Sequence, residues 1–169
     1  NWDNAEWSKI HFPLLKTINH SSKTSKIIEI IKKHPNEKIT IFSQFTSFLD
    51  LLKALLKKEF NINALLYDGR INNFFSRNSI IHLFDSNTHH NILLLSLKAA
   101  YAGLNLVSAS VAIITDTWYN SSFDLQAINR IHRFGQNNIT FIYRLFIHNT
   151  FSIDLFILNI QNSKHQNNI

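Results

Sequence analysis

The chain has 169 residues, 45% of them apolar and 17% charged, which is typical of one folded globular domain. Its net charge of +6 and pI near 9.7 favour a polyanionic partner, without choosing between nucleic acid, an anionic membrane and simple solubility. There is no cysteine, no signal peptide and no apolar run of the roughly 18 residues that cross a membrane. We therefore expect an intracellular protein without disulfides, without cysteine-ligated metals and without a membrane partner.

Short β-branched runs alternate with longer amphipathic runs along the chain. The strand-like runs are KITIFS (38–43), NALLY (63–67), NILLLSL (91–97), SVAIITD (110–116) and ITFIYRLFI (139–147). The helix-like runs cover 21–34, which opens on serine caps and stops before Pro35, then 46–60 with Thr46 or Ser47 as its cap, 76–85, 123–134 and 152–163.

This alternation predicts the fold class. Runs 91–97 and 110–116 are continuously apolar, as expected of strands that are covered on both faces. Alternating strands and helices of this kind predict an α/β domain with a doubly wound, mainly parallel sheet and helices on both faces. In such sheets the ligand sites lie at the carboxyl ends of the strands.

The stretch QAINRIHRFGQ (126–136) places two arginines three residues apart in a region with little other charge. At about 100° per residue, Gln126, Arg130 and Arg133 share one narrow helix face. Two neighbouring guanidiniums repel each other unless an anion lies between them, and arginine suits a forked contact to phosphate oxygens. The alternative is a surface helix whose arginines pair with Asp124 or another carboxylate, and the spacing alone leaves both interpretations open.

The same helical period places the apolar residues of this stretch on the opposite side, and Gly135 is the expected stop. We expect that side to pack on the sheet, so that the two guanidiniums point together into a cleft at the strand tips. The apolar residues concerned are Leu125, Ile128, Ile131 and Phe134.

Glycine is scarce, with three residues at positions 69, 103 and 135, each in a loop that follows a strand or a helix. None of them belongs to a G-x-x-x-x-G-K-[ST] phosphate loop. If the arginines meet a nucleotide phosphate, another domain must supply the rest of the nucleotide site.

Several ordered segments resemble the second RecA-like lobe of Swi/Snf-type ATPases, a branch of the superfamily-two helicases. KITIFSQFTSFLDLL (38–52) resembles motif IV, and LYDGR with Arg77, Ile80 and Phe84 resembles the block after it. ILLLSLKAAYAGLNLVSAS (92–110) resembles motif V, DTWYN (116–120) the following segment, and DLQAINRIHRFGQ (124–136) motif VI. The likeness predicts a RecA-like three-layer domain, divided into a lead-in (1–20), the helicase C-terminal lobe (21–150) and a brace helix with its tail (151–169).

The resemblance implies roles for particular residues. Arg133 would be the arginine finger on the γ-phosphate of ATP, with Arg130 assisting and Gln126 holding the motif or contacting the nucleotide. Gly103 and Asn105 would lie near the ribose and phosphates of the ATP. The residues implied to face the DNA backbone are Ser43, Gln44, Ser96 and Lys98.

The resemblance also implies partners and a context. ATP and Mg²⁺ would be held mainly by a first RecA-like lobe of the same protein, so that this chain alone should not hydrolyse ATP. The DNA would be double-stranded and recognised without sequence preference, nucleosomes would be a further partner, and the protein would act in the nucleus in chromatin remodelling or DNA repair. HRFGQ and NIQNSK lean towards the helicase-like transcription factor branch. We predict no metal site in this chain, since the adjacent His89 and His90 lack a carboxylate or thiol nearby.

The chain departs from the family pattern at three places, and two of them, the loop after Lys98 and the lost prolines, favour a rival function. Lys98 is followed by AAY where the family has Ala-Gly-Gly, DTWYNS has lost both usual prolines, and Arg70 stands where a small residue is common. Arg70 would either add a phosphate contact or be a solvated loop residue. The rival is a non-catalytic nucleic-acid or protein-binding module that kept the RecA-like fold, and a strand-separating helicase is a third possibility.

Overall fold

The computed structural model describes residues 21–71, 73–86, 91–100, 103–118, 120, 122–148 and 152–166. Within these residues, five strands alternate with six helices. The strands are β1 (Ile39–Ser43), β2 (Leu65–Tyr67), β3 (Ile92–Ser96), β4 (Val111–Ile114) and β5 (Phe141–Arg144). The helices are α1 (Ser22–Lys33), α2 (Thr46–Phe60), α3 (Phe74–Ser86), α4 (Leu97–Ala100), α5 (Ser122–Ile131) and α6 (Ile153–Gln166).

The strands form one sheet in the order β2-β3-β1-β4-β5, and every neighbouring pair is parallel. β1 lies at the centre, with Ile39 opposite both Ile92 of β3 and Val111 of β4. Parallel neighbours need crossover connections, which the helices supply. The predicted doubly wound α/β fold is confirmed.

The central strands are buried on both faces because each face is covered by helices. One face places Ile39 and Ile41 of β1 in a core with α1 and α2, and the opposite face places Phe42 in a core with α3 and α5. β1, β3 and β4 have no exposed residue along their length. The continuous apolar runs seen in the sequence are therefore explained by burial on two sides.

The ends of the first two helices test the predicted caps. Ser21 caps α1 as expected, because its side chain accepts a hydrogen bond from the backbone N–H of Thr24 at 3.2 Å. For α2 the predicted cap is wrong: the helix already begins at Thr46, and Phe45 at the N-cap position provides no side-chain hydrogen bond. α2 ends at Asn61, whose φ of 52° lies in the left-handed region.

Element bounds in the second half also differ from the expectation. α5 ends at Ile131 rather than continuing to residue 134, and β5 is limited to Phe141–Arg144 instead of 139–147. α3 and α6 begin or end within a few residues of their predicted limits. None of the helices in the described residues combines the length and apolar character that crossing a membrane requires.

Helix α6 is fixed to the carboxyl ends of the strands through the buried carboxylate of Asp154. This carboxylate accepts hydrogen bonds from Thr117 Oγ1 at 3.0 Å and from the backbone N–H of Ile147 at 3.0 Å, and it pairs with Lys23 Nζ at 2.9 Å. Burial acts to raise the pKa of Asp154, but the Ile147 hydrogen bond and the Lys23 ammonium outweigh it and hold that pKa below its usual value. The helix thus joins β4, β5 and the start of α1.

The predicted division at residues 20 and 150 stays a prediction, since 1–20 and 149–151 lie outside the described residues.

Candidate functional site

Residues that the resemblance assigns to DNA lie together at the carboxyl edge, the term used here for the carboxyl ends of β1, β3 and β4 with the residues directly after them. Ser43 ends β1 and is opposite Ser96, which ends β3. Both serines are buried, with 0% and 4% of their surface exposed. Gln44 is partly exposed and Lys98 is exposed. Of the four, therefore, Gln44 and Lys98 have side chains that solvent can reach.

The two serine hydroxyls are already used inside the lobe. Ser43 Oγ donates to Asp116 Oδ2 at 2.5 Å and accepts from the backbone N–H of Phe45 at 3.1 Å. Ser96 Oγ accepts from the backbone N–H of Ala99 at 3.2 Å, at the start of α4. These hydroxyls shape the loops after β1 and β3, and a direct DNA contact by either one stays a prediction.

Asp116 is a residue of the carboxyl edge that sequence reasoning did not single out. Besides the Ser43 hydroxyl, its Oδ2 atom accepts from the backbone N–H of Gln44 at 3.0 Å and from Thr115 Oγ1 at 3.1 Å. The signal for it was an acidic residue two positions after a fully apolar strand, in the quoted segment DTWYN.

Arg70 is an exposed residue of the loop after β2, and it is also ion-paired. Its guanidinium makes a two-pronged contact with Asp50 at 2.7 and 2.9 Å and a further contact with Asp68 Oδ2 from Nε at 2.8 Å. Hydrogen bonds to Asp50 and Asp68 raise the pKa of Arg70 further above its already high value. The solvated loop position is thus as expected, but Arg70 also joins α2 to the loop after β2, and a phosphate contact by it stays a prediction.

Arg130 and Arg133 do not share a helix face, because α5 ends between them at Ile131. Arg130 is in the last turn of α5, whereas Arg133 is in the arginine loop, the name used here for residues 132–140. β4 and β5 are parallel, so α5 must cross from the carboxyl end of β4 to the amino end of β5. The expectation that both guanidiniums lie at the strand tips is therefore wrong: Arg133 precedes the amino end of β5.

The apolar side predicted for this stretch is half right. Ile131 is fully buried and Ile128 is packed against the core, as expected. Leu125 is 55% exposed and Phe134 is 102% exposed, so neither packs on the sheet. Gly135 has a φ of 101°, which only glycine adopts easily, and it lies in the turn beyond the helix rather than at its end.

The two arginines also differ in their contacts. Arg130 is half-buried and interacts with its surroundings in the lobe. Arg133 is exposed, and among the described residues its guanidinium makes no hydrogen bond or ion pair. Asp124 pairs with Arg144 at 2.6 Å, so it is not the partner of Arg133. Burial raises the pKa of Asp124, and the Arg144 guanidinium opposes that rise only in part.

The arginine loop is held firmly although its tip is exposed. Gln136 Nε2 donates to the carbonyls of Val107 at 3.0 Å and Ala109 at 2.7 Å, and Gln136 Oε1 accepts from the backbone N–H of Asn138 at 2.9 Å. Arg133 therefore stands on a loop that is attached to the segment before β4.

The segment 103–110 brings Asn105, one of the predicted nucleotide residues, to the end of α5 that leads into the arginine loop. The backbone N–H of Leu106 donates to the carbonyl of Arg130 at 3.0 Å, which places the exposed Asn105 beside the end of α5. Gly103 lies two residues earlier with a φ of 75°. Gln126 is exposed on α5 one turn before Arg130, on the same side of the helix. A cleft of about 350 Å³ lies in the arginine loop itself, lined by His132, Arg133, Phe134, Gln136, Asn138, Ile139 and Thr140.

A metal site was not predicted, and none of the described residues form a group of three or more His, Asp or Glu side chains that could hold one. His89 and His90 lie outside the described residues, as does Tyr119 of the DTWYN segment.

Comparison with protein families gives a match over residues 22–135, to the model of the helicase conserved C-terminal domain. The chain belongs to this family. The match begins at the first residue of α1 and ends in the arginine loop, so this helicase C-terminal domain includes both the carboxyl edge and Arg133. The resemblance read from the motifs is confirmed at this level.

Individual relatives agree with the family. The chain is 40% identical over 158 residues to the DNA repair protein RAD5 of Debaryomyces hansenii, covering 86% of this chain and 13% of that protein. It is 36% identical over 148 residues to an uncharacterized ATP-dependent helicase of Mycoplasma genitalium, covering 86% of this chain and 14% of the other. The chain thus spans only a small part of the length of the curated relatives that it matches.

Two solved structures show the same fold. The C-terminal part of the Fun30 ATPase domain superposes with a TM-score of 0.77 at 31% identity, over 94% of this chain and 47% of that one. The C-terminal domain of a Swi2/Snf2 ATPase from Sulfolobus solfataricus has a TM-score of 0.67 at 24% identity, over 86% of this chain and 57% of that one, and it supports the fold alone. The helicase C-terminal domain described here is therefore RecA-like.

Proposed function

We propose that this domain is the C-terminal motor lobe of an ATP-dependent translocase of double-stranded DNA, and that Arg133 is its arginine finger. The observation that supports this best is the state of Arg133. Its guanidinium is exposed and makes no ion pair with the described residues, yet the loop beneath it is fixed by the three hydrogen bonds of the Gln136 side chain. A guanidinium on an anchored loop, without an anionic partner among the described residues, is suited to bind an anion from outside the lobe.

The physical role of such a finger is electrostatic. During phosphoryl transfer, negative charge spreads over the transferring group, and a guanidinium placed there stabilises the transition state by about 10³- to 10⁵-fold in rate. Arg130 would assist from the end of α5, and Asn105 with Gly103 would lie beside the nucleotide. Gln126 would contact the nucleotide side or hold the motif.

The rest of the ATP site belongs to the partner lobe in this proposal. The chain has no phosphate loop, and its described residues provide no cluster of Mg²⁺ ligands. ATP and Mg²⁺ would therefore be held mainly by a first RecA-like lobe of the same protein. This domain alone should not hydrolyse ATP.

The carboxyl edge would grip the duplex in this proposal. Gln44 and Lys98 are the assigned side chains that reach solvent, and they would contact phosphates, while the buried Ser43 and Ser96 would shape the loops that present them. Contacts to phosphates carry no base information, so movement would be independent of sequence and sensitive to salt. The relatives named as DNA repair proteins support repair as the context. Chromatin remodelling, nucleosomes as a further substrate and action in the nucleus belong to the proposal through the motif resemblance.

The deciding experiment uses a protein that contains this lobe together with its first lobe. We expect duplex-stimulated ATP hydrolysis in the wild type and a loss of about 10³-fold or more in Arg133→Ala. Arg133→Lys should recover little, because an ammonium cannot make a forked contact. Lys53→Ala removes an exposed cation from α2 and serves as the charge-matched control. An Arg133→Ala protein that keeps most of the wild-type rate would show that another group is the finger.

The rival function is a binding module that has lost the motor. The replacement of Ala-Gly-Gly by AAY after Lys98 favours it, because that segment joins the carboxyl edge to Asn105. A wild-type protein that binds duplex but does not hydrolyse ATP, despite an intact first lobe, would support the module. Product in a strand-displacement assay would instead indicate a strand-separating helicase.

A further inference from the structure

We propose that Asp116 is a positioning residue for the DNA grip, because it holds the turn after β1 that presents Gln44. This inference rests on the proposed function, in which the carboxyl edge faces the duplex. It adds a residue that the motif assignments did not mark for DNA, and it assigns that residue an indirect role.

Three hydrogen-bond donors converge on a single oxygen atom of Asp116. Asp116 Oδ2 accepts from Ser43 Oγ at 2.5 Å, from the backbone N–H of Gln44 at 3.0 Å and from Thr115 Oγ1 at 3.1 Å. Hydrogen bonds to an ionised acceptor are roughly twice as strong as bonds between neutral groups. Two of these donors belong to the last residue of β1 and to the first residue of the turn after it, so one carboxylate sets the path by which the chain enters that turn.

Through Ser43, the hydrogen bonds that begin at Asp116 extend one residue further, to Phe45. The Ser43 hydroxyl that donates to Asp116 also accepts from the backbone N–H of Phe45 at 3.1 Å. Asp116 therefore organises three consecutive residues, 43–45, directly before α2 begins at Thr46. Ser43 itself is fully buried, so it acts on this turn from within the lobe.

Asp116 is itself fixed on both sides along the chain. The backbone N–H of Thr115 donates to the carbonyl of Phe42 at 3.0 Å, and the single hydrogen of Thr115 Oγ1 is shared between that carbonyl and Asp116 Oδ2. On the other side, Thr117 Oγ1 donates to Asp154 Oδ1 of α6 at 3.0 Å. A carboxylate between two anchored neighbours can transmit a defined geometry to the turn it holds.

The negative charge of Asp116 makes the proposal testable by the sign of the change in DNA binding. A carboxylate at an edge that meets phosphates weakens DNA binding by simple repulsion. Electrostatics alone therefore predicts tighter binding when Asp116 loses its charge. A positioning role predicts the opposite for a substitution that also removes the acceptor atoms, and little loss for one that keeps an acceptor.

The experiment measures the duplex concentration that gives half-maximal ATPase stimulation, in a protein that contains both lobes, together with the maximal rate. For Asp116→Ala we expect the half-saturating concentration to rise about fivefold, the factor that corresponds to roughly one net hydrogen bond. Asp116→Asn keeps an oxygen that can accept the same bonds and should stay within about twofold of wild type or bind more tightly. Glu29→Ala, which removes an exposed carboxylate from α1, is the charge-matched control and should not weaken binding.

Two further measurements separate the possible failures. Amide hydrogen exchange at Gln44 and Phe45 should speed up in Asp116→Ala and much less in Asp116→Asn. If Asp116→Ala does not fold, Ser43→Ala decides: it removes the hydroxyl that links Asp116 to Phe45 and should raise the half-saturating concentration about two- to threefold.

The outcomes are distinct. An Asp116→Ala protein, or in its place a Ser43→Ala protein, with wild-type or tighter duplex dependence would overturn the positioning role while the motor proposal stands. A wild-type protein whose ATPase does not respond to duplex would overturn the proposed function itself.

Discussion

Asp116 at the carboxyl edge accepts three hydrogen bonds on one oxygen atom, whereas the guanidinium of Arg133 on the arginine loop makes none with the described residues. At the carboxyl edge, the buried serines and Asp116 are satisfied within the lobe, and so is Arg70 in the loop after β2. The arginine loop is equally well anchored through Gln136, but it presents an exposed cation and the fully exposed ring of Phe134. The buried polar groups of the carboxyl edge are satisfied within the lobe, whereas the arginine loop is anchored but leaves the Arg133 guanidinium for an outside surface.

The largest expected effect tests this difference with two arginines. Arg144 pairs with the buried Asp124 and also donates to Gln161 Oε1 at 3.1 Å. Because Asp124 would be left buried without its counter-charge, Arg144→Leu should lower the free energy of unfolding by about 2–3 kcal/mol, somewhat less than for a fully buried pair, since Arg144 is partly exposed. Arg133→Leu, which breaks no pair within the lobe, should change it by less than about 0.5 kcal/mol. Denaturant unfolding of both variants gives the comparison, and equal losses would contradict it.

A smaller effect is expected at the anchor of the arginine loop. Gln136→Ala removes the donors to Val107 and Ala109 and the acceptor for Asn138, so it should lower the free energy of unfolding by about 1–2 kcal/mol. The amide of Asn138 should then exchange faster with solvent. Asn137→Ala, at an exposed neighbouring position, is the control and should leave both quantities unchanged. Unchanged exchange at Asn138 in the Gln136 variant would mean that the loop is held by other contacts.

The smallest expected effect concerns the stability of the domain at acid pH. The pKa of Asp154 is held below its ordinary value of 3.8, so its stabilising contribution is complete above that pH and is lost as the pH falls through the lowered value. Asp154→Asn should therefore make the fall in stability below about pH 4 less steep. The pKa of Asp124 is raised instead, so its ionisation removes stability as the pH rises above 3.8, and Asp124→Asn should change the pH dependence in the opposite direction. Unfolding measured from pH 2 to 6 checks both signs, and the same change in both variants would contradict the assignment.

The fold was predictable because its signals are local and repeated. Five strand-like runs alternate with helical runs, and the fully apolar runs correspond to strands that are buried on both faces. The ordered motifs also located the residues of the carboxyl edge, since Ser43 and Ser96 directly end their strands.

The geometry of the site was less predictable, for physical reasons. Helical periodicity cannot locate the end of α5, because Arg133 fits the angular pattern whether or not the helix continues beyond Ile131. The partners of Arg70 and Arg144 are brought in by tertiary structure, with Asp50 and Asp124 each 20 residues away. Asp116 gave only a weak signal, since its importance depends on the turn after a strand that is distant in sequence.

The central place of β1 in the sheet has a consequence for biosynthesis. Both of its edges are covered by strands that the ribosome produces much later, β3 from Ile92 and β4 from Val111. Until then the nascent chain exposes an apolar strand with open hydrogen-bonding edges, which is the state that self-associates most readily and that chaperones recognise. A truncated polypeptide that ends before Val111 should thus be insoluble, even when its first two helices are fully formed.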